Sequence, residues 1–117
     1  MGTGFQGIVR DNYRTAIEAI NASGAYVVSV DINSGMNGDS GEAELAVFSD
    51  LTVTIGYVKT GLIQQQAGRY MKRLVCTDIG IVLVKEEYKI CSAEEALLPG
   101  CYRCPPWLDM DIISACP

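Results

Sequence analysis

The sequence predicts an α/β fold with a parallel sheet. Two observations carry this. Three short β-branched runs, at 25–30, 51–55 and 74–77, alternate with helical or turn-rich stretches, which is the order that builds parallel βαβ units. The first run is apolar throughout except for Ser29, the pattern of a strand buried on both faces.

The elements follow in chain order. Residues 1–10 hold Gly2, Gly4 and Gly7 and read as a loop. A helix comes next, with Asp11 or Asn12 as its cap. Tyr13, Ala16, Ile17 and Ile20 recur at i, i+3, i+4 and i+7 and form one apolar stripe. Ser23-Gly24 ends the helix, glycine being the usual left-handed stop. The first strand, 25–30, runs directly into Asp31. Residues 31–44 are polar and carry Gly35, Gly38 and Gly41, so they form a long loop. A short apolar piece at 45–48 precedes the second strand, 51–55, which Gly56 closes. A turn at Lys59-Thr60-Gly61 leads into a short helix near 63–71. The third strand, 74–77, ends at Asp78-Ile79-Gly80. Beyond Ile81 the pattern decays. Ser92 through Glu95 can open a capped helix, and 101–117 has no clear period.

Composition excludes several functions. The chain has 117 residues and a formal net charge of −5, with 49% hydrophobic and 20% charged residues. That is a globular balance. Its acidity argues against an electrostatic nucleic-acid binder. No apolar run approaches the ~20 residues of a membrane span, and no secretory leader opens the chain. There is no histidine, so histidine-dependent nucleophilic catalysis and histidine-ligated metals are excluded. Five cysteines, an odd number, favour a reducing cytoplasm over a disulfide scaffold.

In open parallel sheets ligands sit beyond the carboxyl ends of the strands. Asp31 and Gly56 lie just past two such ends, and Asp78 near a third. Asp31 is therefore the candidate carboxylate, able to hold a ligand hydroxyl or to act as general acid or base; the structural alternative is a turn former. The glycine-rich opening precedes a helix and can offer backbone N–H groups to a phosphate, or be an ordinary surface turn. Residues 31–42 place Asp31, Asn33, Asn37 and Glu42 at calcium-loop positions, but Gly35 and Met36 occupy the fifth and sixth places, where that motif needs a ligand and a glycine. Lys59 can meet an anion or be a solvated turn lysine. Cys101 and Cys104 form a C-x-x-C that, with Cys91 and Cys116, suggests a zinc or redox site of irregular spacing.

Taken together, GTGFQG at 2–7, VSVDINSGMNGDSG at 28–41, DLTVTIG at 50–56, KTGL at 59–62 and DIG at 78–80 resemble the NAD(P)H-hydrate epimerase family, also called the YjeF N-terminal domain. The resemblance covers residues 2–81, about two-thirds of the chain; the 31–41 block is its most specific part. It implies a Rossmann-like three-layer α/β/α sandwich, present here in part, with about three parallel strands. It implies an isomerase that interconverts the R and S forms of hydrated NADH and NADPH, with a dehydratase as functional neighbour. Gly2, Thr3, Gly4, Phe5, Gln6, Gly7 and Ile8 would meet the substrate's phosphates and sugars. Asp31 would stand at the nicotinamide side as catalytic acid/base, and Ser34 would be a ligand of a potassium ion. Asn33 stands where the family motif has proline, which implies a looser turn. The resemblance also implies that 1–81 is the second half of such a domain and 82–117 a degenerate tail or linker. Other potassium and substrate contacts belong to the upstream half. A sheet edge and an apolar helix face would then be uncovered, so a homo-oligomer or the missing half is the expected partner. The alternatives are a non-catalytic nucleotide- or protein-binding module and, further off, a zinc or redox protein centred on the tail. No nucleic-acid or membrane partner is expected, and the location is cytoplasmic.

Overall fold

A computed structural model of the chain describes residues 5–80, 89–91 and 101–109. The elements run in the order α1 (Asp11–Ala22), β1 (Val28–Val30), β2 (Leu51–Ile55), two short 3-10 turns (Thr60–Ile63 and Gln65–Arg69), β3 (Leu74–Thr77), β4 (Lys89–Cys91) and β5 (Cys101–Arg103). β1, β2 and β3 form a parallel sheet in that order. Val28 lies opposite Leu51, and Thr52 opposite Leu74. This is the expected parallel α/β arrangement, a partial Rossmann-like fold. β4 and β5 pair in parallel as a separate two-stranded ribbon.

Register decides which side chains share a face, because alternate residues of a strand point to opposite sides. One face carries Ser29, Thr52, Thr54, Leu74 and Cys76, all buried. The main core lies here: Met36, Ala46, Leu62, Ala67, Met71, Leu74 and Leu108. The other face carries Val28, Val30, Leu51, Val53, Ile55 and Val75, and it opens toward the β1 edge. Val75 is buried, the three β2 residues are half-buried, and Val28 and Val30 are 50% and 65% exposed. This reverses the expectation for the first strand. It is shorter than 25–30, it sits at the sheet edge, and its one buried residue is Ser29 rather than a valine.

The helix also departs from its sequence reading. Arg10, not Asp11 or Asn12, occupies the cap position, and no side chain bonds the free amides there. Asp11 instead contributes its charge to the first turn, where the helix dipole favours it. Of the apolar stripe only Ile17 is buried; it meets Val9 and Val47 in a second small cluster, while Tyr13 and Ile20 remain exposed. The stripe thus has more apolar surface than the described residues cover. The stop is as expected: Ser23 is the C-cap and Gly24 takes φ +67°.

The short helix expected near 63–71 is instead the pair of 3-10 turns, separated by Gln64 in an extended conformation. The stretch without sequence period docks at the far edge of the sheet. The Leu74 N–H donates to the Trp107 carbonyl (2.6 Å), and the Asp109 N–H donates to the Leu74 carbonyl (2.9 Å). The Trp107 indole N–H reaches the Leu62 carbonyl at 2.9 Å. Its ring lies against Gly68, where a Cβ would come within 2.6 Å of the ring carbon Cε3. The expected helix opening at Ser92 lies outside the described residues.

Candidate functional site

Asp31 follows β1 directly and adopts φ +69°, the one left-handed conformation among the described non-glycine residues. Such a backbone is costly for a side chain with a Cβ and tends to occur where function requires it. Its amide donates to the Val53 carbonyl at 2.7 Å. Its carboxylate accepts at Oδ1 from the Ile55 amide (3.2 Å) and the Thr54 hydroxyl (3.5 Å), and forms an ion pair there with the Lys59 ammonium. Burial pushes the Asp31 carboxyl up, but the Lys59 hydrogen bond, the Ile55 amide and the Lys59 charge outweigh it and hold the group below its ordinary value. Asp31 is therefore a carboxylate at neutral pH.

Lys59 is not a solvated turn lysine. Its side chain is about three-quarters buried. Besides Asp31 it donates to the Ile55 carbonyl at 2.8 Å and lies 3.3 Å from the Thr54 hydroxyl oxygen. The sequence signal was its place just past a strand end; nothing in the sequence disclosed that it turns back to the neighbouring strand.

Asn33 was also missed as a structural hub. It is 1% exposed. Its Nδ2 faces the carbonyls of Val47 (2.9 Å) and Tyr70 (2.7 Å) and the Ser49 hydroxyl (3.0 Å), while its Oδ1 accepts from Thr52 Oγ1 at 2.6 Å. The turn is therefore tied by its side chain and not loosened. Gly35, two residues on, takes φ +96°, and a Cβ there would collide with the Leu45 carbonyl. Asn37 caps the following turn by accepting from the Asp39 and Ser40 amides at 2.8 and 2.9 Å.

These commitments leave no calcium loop, since Asp31 faces Lys59 and Asn37 faces backbone amides. Among the described residues no three cysteine, aspartate or glutamate side chains gather as metal ligands. Ser34 is half-buried; its carbonyl accepts the Val47 amide at 2.9 Å, and its hydroxyl makes no hydrogen bond with the described residues. Asp78 is exposed and accepts from the Gly80 amide at 2.8 Å.

The opening loop is described from Phe5 on; Gly2, Thr3 and Gly4 lie outside the described residues. Phe5 packs on the Ile17 cluster, and its carbonyl lies 3.4 Å from Asn37 Nδ2. Gln6, Gly7 and Ile8 are exposed. Phe5 and Gly7 line a cleft of about 630 Å³ together with Asn37, Glu42, Arg69 and Tyr70, among others. Asp31 and Ser34 do not line it. The structure thus brings the opening loop to the 35–44 loop, and brings Asp31 to Lys59 and Thr54, as two separate groupings.

The cysteine site is described only in part. Cys104 is half-buried and its thiol lies 3.6 Å from the Pro105 carbonyl; burial pushes that thiol up, away from a reactive thiolate. Cys91 and Cys101 lie in β4 and β5, and Cys116 lies outside the described residues. No helix among the described residues is long and apolar enough to cross a membrane.

A carboxylate held just beyond the end of a strand in a parallel sheet defines an open α/β domain with a candidate site at its strand ends. The family model described as YjeF-related protein N-terminus matches residues 1–61, just over half the chain, and the chain belongs to that family. It is 45% identical over 82 residues to the bifunctional NAD(P)H-hydrate repair enzyme Nnr of Pyrobaculum aerophilum, a match covering 69% of this chain and 16% of that protein. It is 44% identical over 78 residues to the NAD(P)H-hydrate epimerase of Limosilactobacillus fermentum, covering 66% of this chain and 38% of that one. A third relative, the NAD(P)H-hydrate epimerase of Elusimicrobium minutum, is 43% identical over 65 residues, which are 55% of this chain and 29% of its own. The matched part therefore spans well under half the length of each of these relatives.

Proposed function

We propose that the chain is an NAD(P)H-hydrate epimerase-like protein whose acid/base is Asp31. The observation that carries this reading is the Asp31 carboxylate, ionised and held just beyond β1 in a conformation that its neighbours enforce. A fixed carboxylate suits a hydroxyl whose configuration must change. The opening loop, residues 2–8, takes the phosphates and sugars. Residues 1–81 form the second half of an epimerase domain and 82–117 a tail, of which 105–109 close the β3 edge. A dehydratase is the functional neighbour, in line with the bifunctional names of several relatives, and the location is cytoplasmic.

A potassium ion at Ser34 fits in kind. A hard cation wants several oxygens, and the Ser34 hydroxyl, which makes no hydrogen bond with the described residues, would supply one of them. No step of the reading passes through the ion.

The open sheet face favours a second reading, a binding module without turnover. Calorimetry with NADPH and with ADP-ribose separates binding from none. Micromolar affinity for ADP-ribose, weakened by substitution in residues 5–8, supports a nucleotide site on the opening loop; no heat with either ligand in a folded sample removes it.

A further inference from the structure

We propose that Lys59 is a positioning residue that fixes the Asp31 carboxylate in one orientation, with Oδ1 saturated and Oδ2 left to accept a hydrogen bond from a hydroxyl-bearing ligand. This rests on the reading of Asp31 as the group that meets the substrate.

The argument is one of hydrogen-bond capacity. An ammonium has three N–H donors. Three acceptors surround the Lys59 ammonium: Asp31 Oδ1, the Ile55 carbonyl at 2.8 Å and Thr54 Oγ1 at 3.3 Å. All three belong to the protein, so no donor remains for a substrate phosphate. The expectation that Lys59 meets an anionic ligand is replaced by an internal role. Seen from Asp31, the described contacts all end on Oδ1: Lys59, the Ile55 amide at 3.2 Å and the Thr54 hydroxyl at 3.5 Å. Oδ2 makes none among the described residues. The carboxylate thus has one oxygen anchored and one presented, which is what a base or acceptor of fixed direction requires.

The backbone supports the same conclusion. Asp31 stands at φ +69°, and its amide bond to Val53 is matched by the side-chain bonds to the next two residues of β2 and to the turn after it. Lys59 closes this ring from a third element. The charge that faces Asp31 is that of Lys59; β2 adds only the Thr54 hydroxyl and the Ile55 amide. A ligand hydroxyl at Oδ2 would therefore meet a carboxylate whose charge one cation balances.

The test is the titration of the Asp31 side-chain carboxyl carbon by NMR, assigned by its loss in Asp31→Asn, in the unmodified chain, Lys59→Met and Lys59→Arg. Lys59→Met is expected to weaken the acidity of Asp31 by about tenfold, one pH unit, and Lys59→Arg to restore most of the difference. Interconversion of the NADPH hydrates is read on the same samples, with kcat falling more than KM rises in Lys59→Met. An unchanged Asp31 titration in folded Lys59→Met overturns the positioning role whatever the activity. If Lys59→Met fails to fold, Lys59→Gln carries the same comparison. An unmodified chain that shows the shift but no turnover supports the role of Lys59 and counts against the epimerase reading alone.

Discussion

At the residue scale two side chains organise the loop that follows β1. Asn33, while buried, donates to acceptors on two segments, at Val47–Ser49 and Tyr70, and accepts from the Thr52 hydroxyl. Asn33→Ala strands the Val47 carbonyl, while the Tyr70 carbonyl keeps the Ser49 amide and the Thr52 hydroxyl keeps the Ser49 hydroxyl; one buried orphan costs about 1–3 kcal/mol. The variant is expected to lose roughly 2 kcal/mol of stability in urea unfolding, and a loss under about 0.5 kcal/mol, the scale of a plain surface change, contradicts the hub. Asp31 sets a pH dependence. Its folded pKa lies below the ordinary carboxylate value of 3.8, so the folded state binds its proton more weakly than the unfolded chain. The stabilisation is complete above the unfolded value and is lost as pH falls through the lowered folded value. Melting curves below about pH 4 are expected to fall less steeply for Asp31→Asn than for the unmodified chain. Equal slopes argue that the ion pair contributes nothing.

At the scale of elements, much was legible and the failures have physical causes. β2 and β3 occupy 51–55 and 74–77 as read, because alternating Val and Thr or a compact apolar run admits few other structures. The α1 stripe gave the helix but not its burial, since periodicity marks a face able to be covered and not the element that covers it. The valines of β1 misled for the same reason. Asp31 was legible because it stands at a strand end; Lys59 was legible as a position but not as its partner, because a contact 28 residues apart in sequence leaves no local pattern. The docking of 105–109 on β3 was illegible: two prolines and a tryptophan have no period, and their partners are the Leu74 backbone, the Leu62 carbonyl and the surface of Gly68. Trp107 is the single tryptophan, so its emission reports this edge. Trp107→Ala is expected to cost roughly 3 kcal/mol, by loss of large core-facing area, and wild-type emission is expected to be blue-shifted relative to the unfolded chain. Emission already at the solvent-exposed wavelength in the folded protein contradicts the docking.

At the scale of the whole molecule the sheet is asymmetric. Its Ser/Thr face is sealed by a core and a hydrogen-bonded network, while its Val/Ile face opens toward the β1 edge, which no other described strand pairs. Parallel sheets are rarely stable with an open apolar face. The chain is therefore expected to self-associate through Val28, Val30 and the neighbouring stripe residues. Size-exclusion chromatography showing a folded monomer at tens of micromolar contradicts this. The most direct measurement is the interconversion of S- and R-NADPH hydrate by the purified chain, with and without potassium, beside Asp31→Ala. The account predicts turnover that Asp31→Ala abolishes while the fold persists. Turnover retained in Asp31→Ala, or none from a folded and assembled unmodified chain, contradicts it.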